Sequence, residues 1–216
     1  TKATRATIHY TLDGSMPDTT SSAYQEPFHI HNTAEVKCIL RLTGWTDSEV
    51  ATRTFAKSRF PIAQLKTNVA PNEKYAAQGV QTLIDLQKGT NAFSDGKWLG
   101  FQENDVTITA DLGSQKDIHG VTIGTLSDFG SYIHLPLAIS VQTSTDGKRF
   151  YPFQEKRIPL VKAIPTEAQV FNHYLSAPPT VARFLRIVLK HQKVNPPWHP
   201  APEAPCWLFV DEILVE

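Results

Sequence analysis

Sulfur is scarce in this chain: one methionine and two cysteines in 216 residues. Cys38 and Cys206 stand far apart, in stretches that read as different domains. A disulfide between them stays open, but two buried free thiols are the better reading. Net charge is also missing, since 21 basic side chains balance 21 acidic ones. Such a surface has no electrostatic footprint for nucleic acid or an anionic membrane, and neither partner is expected. No apolar run is long enough to cross a bilayer, so no membrane insertion is expected. Long amphipathic helical patterns are absent too. There is no Ser-His-Asp order, no glycine-rich phosphate loop and no Cys-x-x-Cys, which leaves no recognisable catalytic machinery. The chain opens at Thr1 without Met, almost inside a strand pattern, and reads as a piece of a longer protein.

What is present is a succession of short alternating runs separated by Gly, Pro, Asn and Asp, the pattern of an all-β protein. The first unit covers residues 1–57. Ile8, Tyr10 and Leu12 alternate with Thr7, His9 and Thr11, and Asp13-Gly14-Ser15 turns the chain. Val36, Cys38, Leu40 and Leu42 form a second run, and residues 50–55 a last one. His29 and His31 would share one face of a strand, and with no third ligand nearby they read as surface histidines. The boundary falls near Phe60, in a junction with few flexible residues, so the two domains are expected to pack closely.

The second unit covers residues 60–216 and is organised by residues 79–113. Residues 105–112 make the cleanest strand: Val106, Ile108, Ala110 and Leu112 alternate with Thr107, Thr109 and Asp111. Before them, residues 83–98 form a long loop with too much turn chemistry for a strand and too little periodicity for a helix. A long ordered loop needs something to hold it, and Asp85 and Thr90 offer oxygens to a hard cation. Further strands are expected over 119–126, 139–144, 150–153, 181–189 and 207–215. Residues 127–136 form an aromatic loop. Residues 191–206 form another, whose five prolines deny it ladder hydrogen bonds.

Leu83-Ile84-Asp85 with Thr90 five residues after the Asp, then Trp98 and the strand ending in Asp111-Leu112-Gly113, resembles the discoidin domain (coagulation factor type C, galactose-binding-like). SVQTSTDG at 140–147, ARFLRIV at 182–188 and FVDEILV at 209–215 follow in that family's order. The first unit's YTLDGSMP followed by SSAYQEPFHI resembles the small β-sandwich after the catalytic barrel of chitobiases and related hexosaminidases. Together they imply a small Fn3/Ig-like β-sandwich followed by a discoidin-like jelly-roll β-sandwich. They imply too a non-catalytic accessory region of a bacterial family 20 β-N-acetylhexosaminidase, periplasmic or extracellular. Its partners would be the catalytic barrel of the parent chain and an N-acetylhexosamine- or galactose-containing glycan. The alternative is a structural or protein-interaction module that binds no glycan.

The discoidin resemblance carries a structural calcium onto Asp85, Thr90 and Glu212, with backbone carbonyls completing the shell. Gln87 departs from the family pattern, which often has an acidic or amide ligand there. The alternative is a loop held by hydrogen bonds alone. For a sugar, the candidates are the loop residues Tyr132, His134, Trp198 and His199. Trp98 and Phe101 read as core. The Asp211-Glu212 pair could suggest a family 20 dyad, but the preceding His-x-Gly motif is absent. Adjacent strand residues also point to opposite faces, so these two are not expected to act together.

Overall fold

A computed structural model of the chain describes residues 6–159 and 167–216. The expected strand start at Thr1 lies outside the described residues. The chain divides into two compact units, Thr1–Lys57 and Ser58–Glu216.

In the first unit, β1 (Thr7–Thr11), β2 (Ser22–Ala23), β3 (Ala34–Arg41) and β4 (Ala51–Phe55) form one antiparallel sheet in the order β2-β1-β3-β4. The alternation seen in the sequence sets the register. Ile8 lies opposite Leu40 and Tyr10 opposite Cys38, so the apolar residues of β1 and β3 share a face. Asp13 closes the turn after β1 by accepting from the Ser15 backbone N–H at 3.0 Å. Tyr10 stacks on Phe28 at 4.9 Å. The described strands make a single layer, which leaves Ile8 and Leu40 exposed. His29 and His31 are not on a strand. Pro27, two residues earlier, has no N–H to give a ladder, and the imidazoles sit exposed with ring centres 6.4 Å apart.

The second unit contains β5 (Gln64–Thr67), β6 (Leu99–Phe101), β7 (Val106–Ser127), β8 (Ala138–Ser144), β9 (Tyr151–Arg157), β10 (Gln169–Lys190) and β11 (Leu208–Val215). All pair antiparallel, in the order β6-β11-β7-β10-β8-β9, with β5 added to β7. The runs 105–112 and 119–126 are one strand of 22 residues rather than two. Burial alternates strictly from Val106 to Leu112, lapses into exposed residues from Gly113 to Gln115, and resumes at Ile118. Gly113, at φ 77°, supplies the backbone break that a side chain would resist. The first half of β7 pairs with β5 and the end of β10; the second half pairs with β11 and the start of β10. Two long strands thus serve both layers of a jelly roll. Between the layers lie Val106, Ile108, Ile123, Ile139, Leu185, Ile187 and Val210, each at most 1% exposed.

The two ends of this unit meet. The Ser58 hydroxyl accepts from the Val215 N–H at 2.8 Å, and the Arg59 and Phe60 N–H groups donate to the Val215 carbonyl at 2.9 and 3.1 Å.

Register also places the two long loops. Loop 128–137 runs from Ser127, whose neighbour Leu126 pairs with Phe209, to Ala138, which pairs with Lys190. Loop 191–207 starts at Lys190 and returns to Leu208 beside Phe209. Both loops bridge the same two points, so they lie side by side.

Candidate functional site

The loop end is a knot of rings. Phe129 packs edge-on to His134 at 4.8 Å and lies 5.4 Å from Trp198. Tyr132 lies 5.2 Å from His199, which in turn lies 5.9 Å from His134. The four residues named from sequence, Tyr132, His134, Trp198 and His199, are therefore one cluster, and they divide by exposure. Tyr132 is 37% exposed and Trp198 half-buried, while His134 and His199 are buried.

The two buried imidazoles are structural joints. Asn195 donates its amide N–H to the Ala201 carbonyl at 2.9 Å, so its oxygen must accept from His134 Nε2, also at 2.9 Å. His199 Nδ1 accepts from the Ala201 N–H at 3.1 Å, and its Nε2 donates to the Phe129 carbonyl at 3.0 Å. His199 is thereby the Nε2–H tautomer, and His134 donates from Nε2. Burial lowers the His134 pKa; the Asn195 hydrogen bond opposes that shift and His199 adds to it. Below them His191 faces the Cys206 thiol at 3.8 Å. Burial pulls this imidazole down to about 4 and pushes the thiol up to about 12. Tyr132, Lys193 and Glu203 hold left-handed backbone at φ 61°, 72° and 62°. Each such residue costs about 1–3 kcal/mol, which the surrounding knot must offset.

Beside the knot, Phe129, His134, Pro136, Leu137 and Trp198 line a cleft of about 20 Å³. That admits a water but not a sugar ring. A larger ligand at this loop end would have to lie outside that cleft. Phe129, Asn195 and His191 were not singled out in the sequence. Nothing in a proline-rich stretch marks which polar residue will be its internal anchor.

The second cluster lies where loop 83–98 meets β11. Asp211 and Glu212 are both 0% exposed. The register of β11 against β7 shifts between Val210 and Ile213, a bulge that breaks the strict alternation expected there. Asp211 accepts from Lys88 Nζ at 2.9 Å and from the Gly89 N–H at 3.0 Å. Burial raises its carboxyl, and the Lys88 ammonium opposes that shift. Glu212 is pushed up to about 9, first by burial and then by the adjacent Asp85 carboxyl. Asp85 Oδ2 and both Glu212 carboxylate oxygens are buried without a hydrogen-bond partner. The structure thus brings Asp85 and Glu212 together but not Thr90. Thr90 is exposed, and its hydroxyl accepts from the Ala92 N–H while its carbonyl accepts from the Trp98 indole.

Calcium takes six to eight oxygens. Three side-chain oxygens are unpartnered here, one on Asp85 and two on Glu212, and backbone carbonyls would have to complete a shell. Asp85 Oδ1 accepts from the Gln87 N–H, and Gln87 Oε1 from Lys97 Nζ at 2.6 Å. The same Lys97 ammonium stands 3.8 Å from Asp85 Oδ2. Among the described residues no group of three or more His, Cys, Asp or Glu side chains is arranged to hold a metal ion. The orphaned oxygens of Asp85 and Glu212 are what a cation would take up, while the Thr90 hydroxyl does not join them.

Trp98 and Phe101 are core, each 1% exposed. A Cβ at Gly89 would run into the Trp98 ring, so that glycine is needed for the ring to close over the loop. Among the described residues no helix is long and apolar enough to cross a membrane. Both cysteines are free, Cys206 buried and Cys38 half-buried.

Two layers of antiparallel strands, with paired loops crossing one end, define a jelly-roll β-sandwich module. The family model described as F5/8 type C domain matches residues 68–203, and the chain belongs to that family. A second model, described as Fn3 associated, matches residues 1–55. No curated protein matches the chain. Similar solved structures include CpGH89CBM32-6, produced by Clostridium perfringens (18% identity, 71% of this chain and 94% of that one, TM-score 0.43). CpGH89CBM32-5 from the same organism, in complex with GalNAc-β-1,3-galactose, is 14% identical over 70% of this chain and 93% of that one, with a TM-score of 0.44. The C-terminal domain of a chitobiase from Bacteroides fragilis is 13% identical over 71% and 93%, with a TM-score of 0.42.

Proposed function

We propose that the second unit binds a glycan carrying N-acetylhexosamine or galactose, on the loop end between Tyr132 and Trp198. The observation that supports it most is the division of labour in the ring knot. Buried His134 and His199 fix two strained loops, and the rings they hold outward are the ones a sugar face can stack on. The chain itself carries out no reaction in this reading. It is an accessory region of a longer, secreted or periplasmic β-N-acetylhexosaminidase, with the catalytic barrel as its partner. The chitobiase-like string of the first unit and the discoidin-like family of the second support that parentage. A coding frame upstream of Thr1 with a His-x-Gly-x-Asp-Glu barrel would agree with it, and a different upstream domain would not.

The test is retention on immobilised N-acetylgalactosamine, N-acetylglucosamine and galactose. Trp198→Ala should weaken binding by roughly tenfold or more, as expected for a lost stacking ring. Its melting temperature should stay within a few degrees of the parent. A steep fall in melting temperature would mean that Trp198 is core and the site lies elsewhere. Retention of the parent on none of the sugars would favour a purely structural module.

A further inference from the structure

We infer that the sheet face opposite the core of the second unit carries a separate binding site, for an acidic sugar ring whose carboxylate or sulfate sits between Lys66 and Arg186. It is distinct from the loop end and does not depend on the glycan reading given for it.

The first observation is register. Residues directly opposite one another in neighbouring strands share a face of the sheet. Lys66 of β5 lies opposite Thr109 of β7, which lies opposite Arg186 of β10. Two residues along, Gln64, Asp111 and Phe184 form a second row. Ala110 and Leu185, between the rows, are buried in the core, so both rows face away from it.

The second is shape. Gln64, Lys66, Thr109, Asp111, Gly147 and Phe184 line a cleft of about 210 Å³. That is the space of roughly seven waters, enough for one pyranose ring with the rest of a chain lying outside. The half-buried Phe184 ring gives the cleft an apolar wall for the C–H face of a sugar. Gly147, at φ 72°, brings bare backbone against that ring, where a Cβ would stand 3.2 Å from it.

The third is charge. Asp111 is already taken by Arg183, in contacts at 2.8 and 2.9 Å. Asp146, beside Gly147, turns into its own loop and accepts from the Lys148 and Arg149 N–H groups at 2.8 and 3.0 Å. Lys66 and Arg186 have no carboxylate partner among the described residues, and residues 1–5 and 160–166 contain no Asp or Glu. The Arg186 guanidinium lies 3.7 Å over the Phe150 ring. Stacking orders its plane, yet its N–H donors meet no acceptor among the described residues. Strands lie about 4.8 Å apart, so the two cations rise from backbone about 10 Å apart with the Thr109 hydroxyl between them. Such an excess of charged donors selects an anionic oxygen group, and a neutral sugar gains nothing from it.

The experiment is affinity electrophoresis of the full chain through polygalacturonate, chondroitin sulfate and neutral galactan. The acidic polymers should retard the chain, less so at high salt. Retardation by one of them alone supports the site and says which anionic group it takes. Trp198→Ala should leave this retardation unchanged, which separates the site from the loop end. Lys66→Ala with Arg186→Ala should weaken it by roughly tenfold or more. Lys66→Ala alone, at an exposed position, should weaken it severalfold and decides the matter if the double variant misfolds. Methyl galacturonide should release the chain from polygalacturonate, while methyl galactoside and sodium acetate at the same concentration should not. No retardation by either acidic polymer, release by acetate as readily as by the galacturonide, loss of retardation with Trp198→Ala, or a Lys66→Ala chain that runs like the parent would each overturn the inference.

Discussion

Stability of the second unit should peak near pH 6.5 and fall on both sides. Burial holds His173 and His191 at about 4 in the folded chain, against 6.5 unfolded. Between those values the unfolded chain binds two protons that the folded chain refuses, so this contribution is present above 6.5 and lost as pH falls. Glu212 acts in the opposite sense. Burial and Asp85 raise it from 4.5 to about 9, so the folded chain keeps a proton that the unfolded chain has released. That contribution is present below 4.5 and lost as pH rises toward 9. From 6.5 to 9 Glu212 acts alone, and stability falls by roughly 1.4 kcal/mol per pH unit. From 6.5 down to 4.5 two histidines oppose one glutamate, leaving a fall of similar slope. Each limb amounts to about 3 kcal/mol, or roughly 10 °C in melting temperature. His134, also lowered, adds to the acid limb. Scanning fluorimetry from pH 4.5 to 9 measures the profile. Glu212→Gln should flatten the alkaline limb and roughly double the slope of the acid one, because the opposing glutamate proton is gone. A parent profile that is flat or rises steadily from pH 6.5 to 9 would refute the protonated Glu212 on which the reasoning rests.

Two carboxylate–cation contacts of similar geometry should respond very differently to mutation. Gly124→Ala pushes into the buried Lys88–Asp211 pair and should cost at least about 3 kcal/mol in a denaturant melt. Arg183→Ala removes a bidentate contact to Asp111 at 2.8 and 2.9 Å, but Arg183 is 42% exposed, and the loss should stay below about 1 kcal/mol. Cys206, buried and held up at about 12, should resist a thiol reagent at pH 8 until the chain is denatured, while half-buried Cys38 reacts first. Prompt loss of both native thiols would place the loop knot in an open state.

Strands were legible because a half-buried strand writes its burial in every second residue. Val106 to Leu112 reads directly as one inward face. The joining of 105–112 to 119–126 was not legible, since Gly113 and exposed residues 114–115 look like a turn until the ladder to β10 is seen. Histidine spacing misled at His29 and His31, where period two occurs without a partner strand. At the loop end, aromatic residues in proline-rich loops pointed to the cluster that forms. Their roles stayed hidden, because whether a histidine stacks outward or anchors inward depends on a distant partner such as Asn195. Lys88 and Lys97 were passed over for the same reason. A lysine in a polar loop reads as solvated until the glycine across the sheet that makes room for it is known.

The seam between Ser58 and Val215 gives this unit a property that its strand order alone would not suggest. Entry and exit of the polypeptide are one hydrogen bond apart, with Arg59 and Phe60 sharing the same carbonyl. A body whose two ends coincide behaves as a cassette. It can be spliced into the surface loop of another protein without prying that loop open, and its own ends can be joined and reopened at an exposed turn residue such as Lys148 without crossing the core.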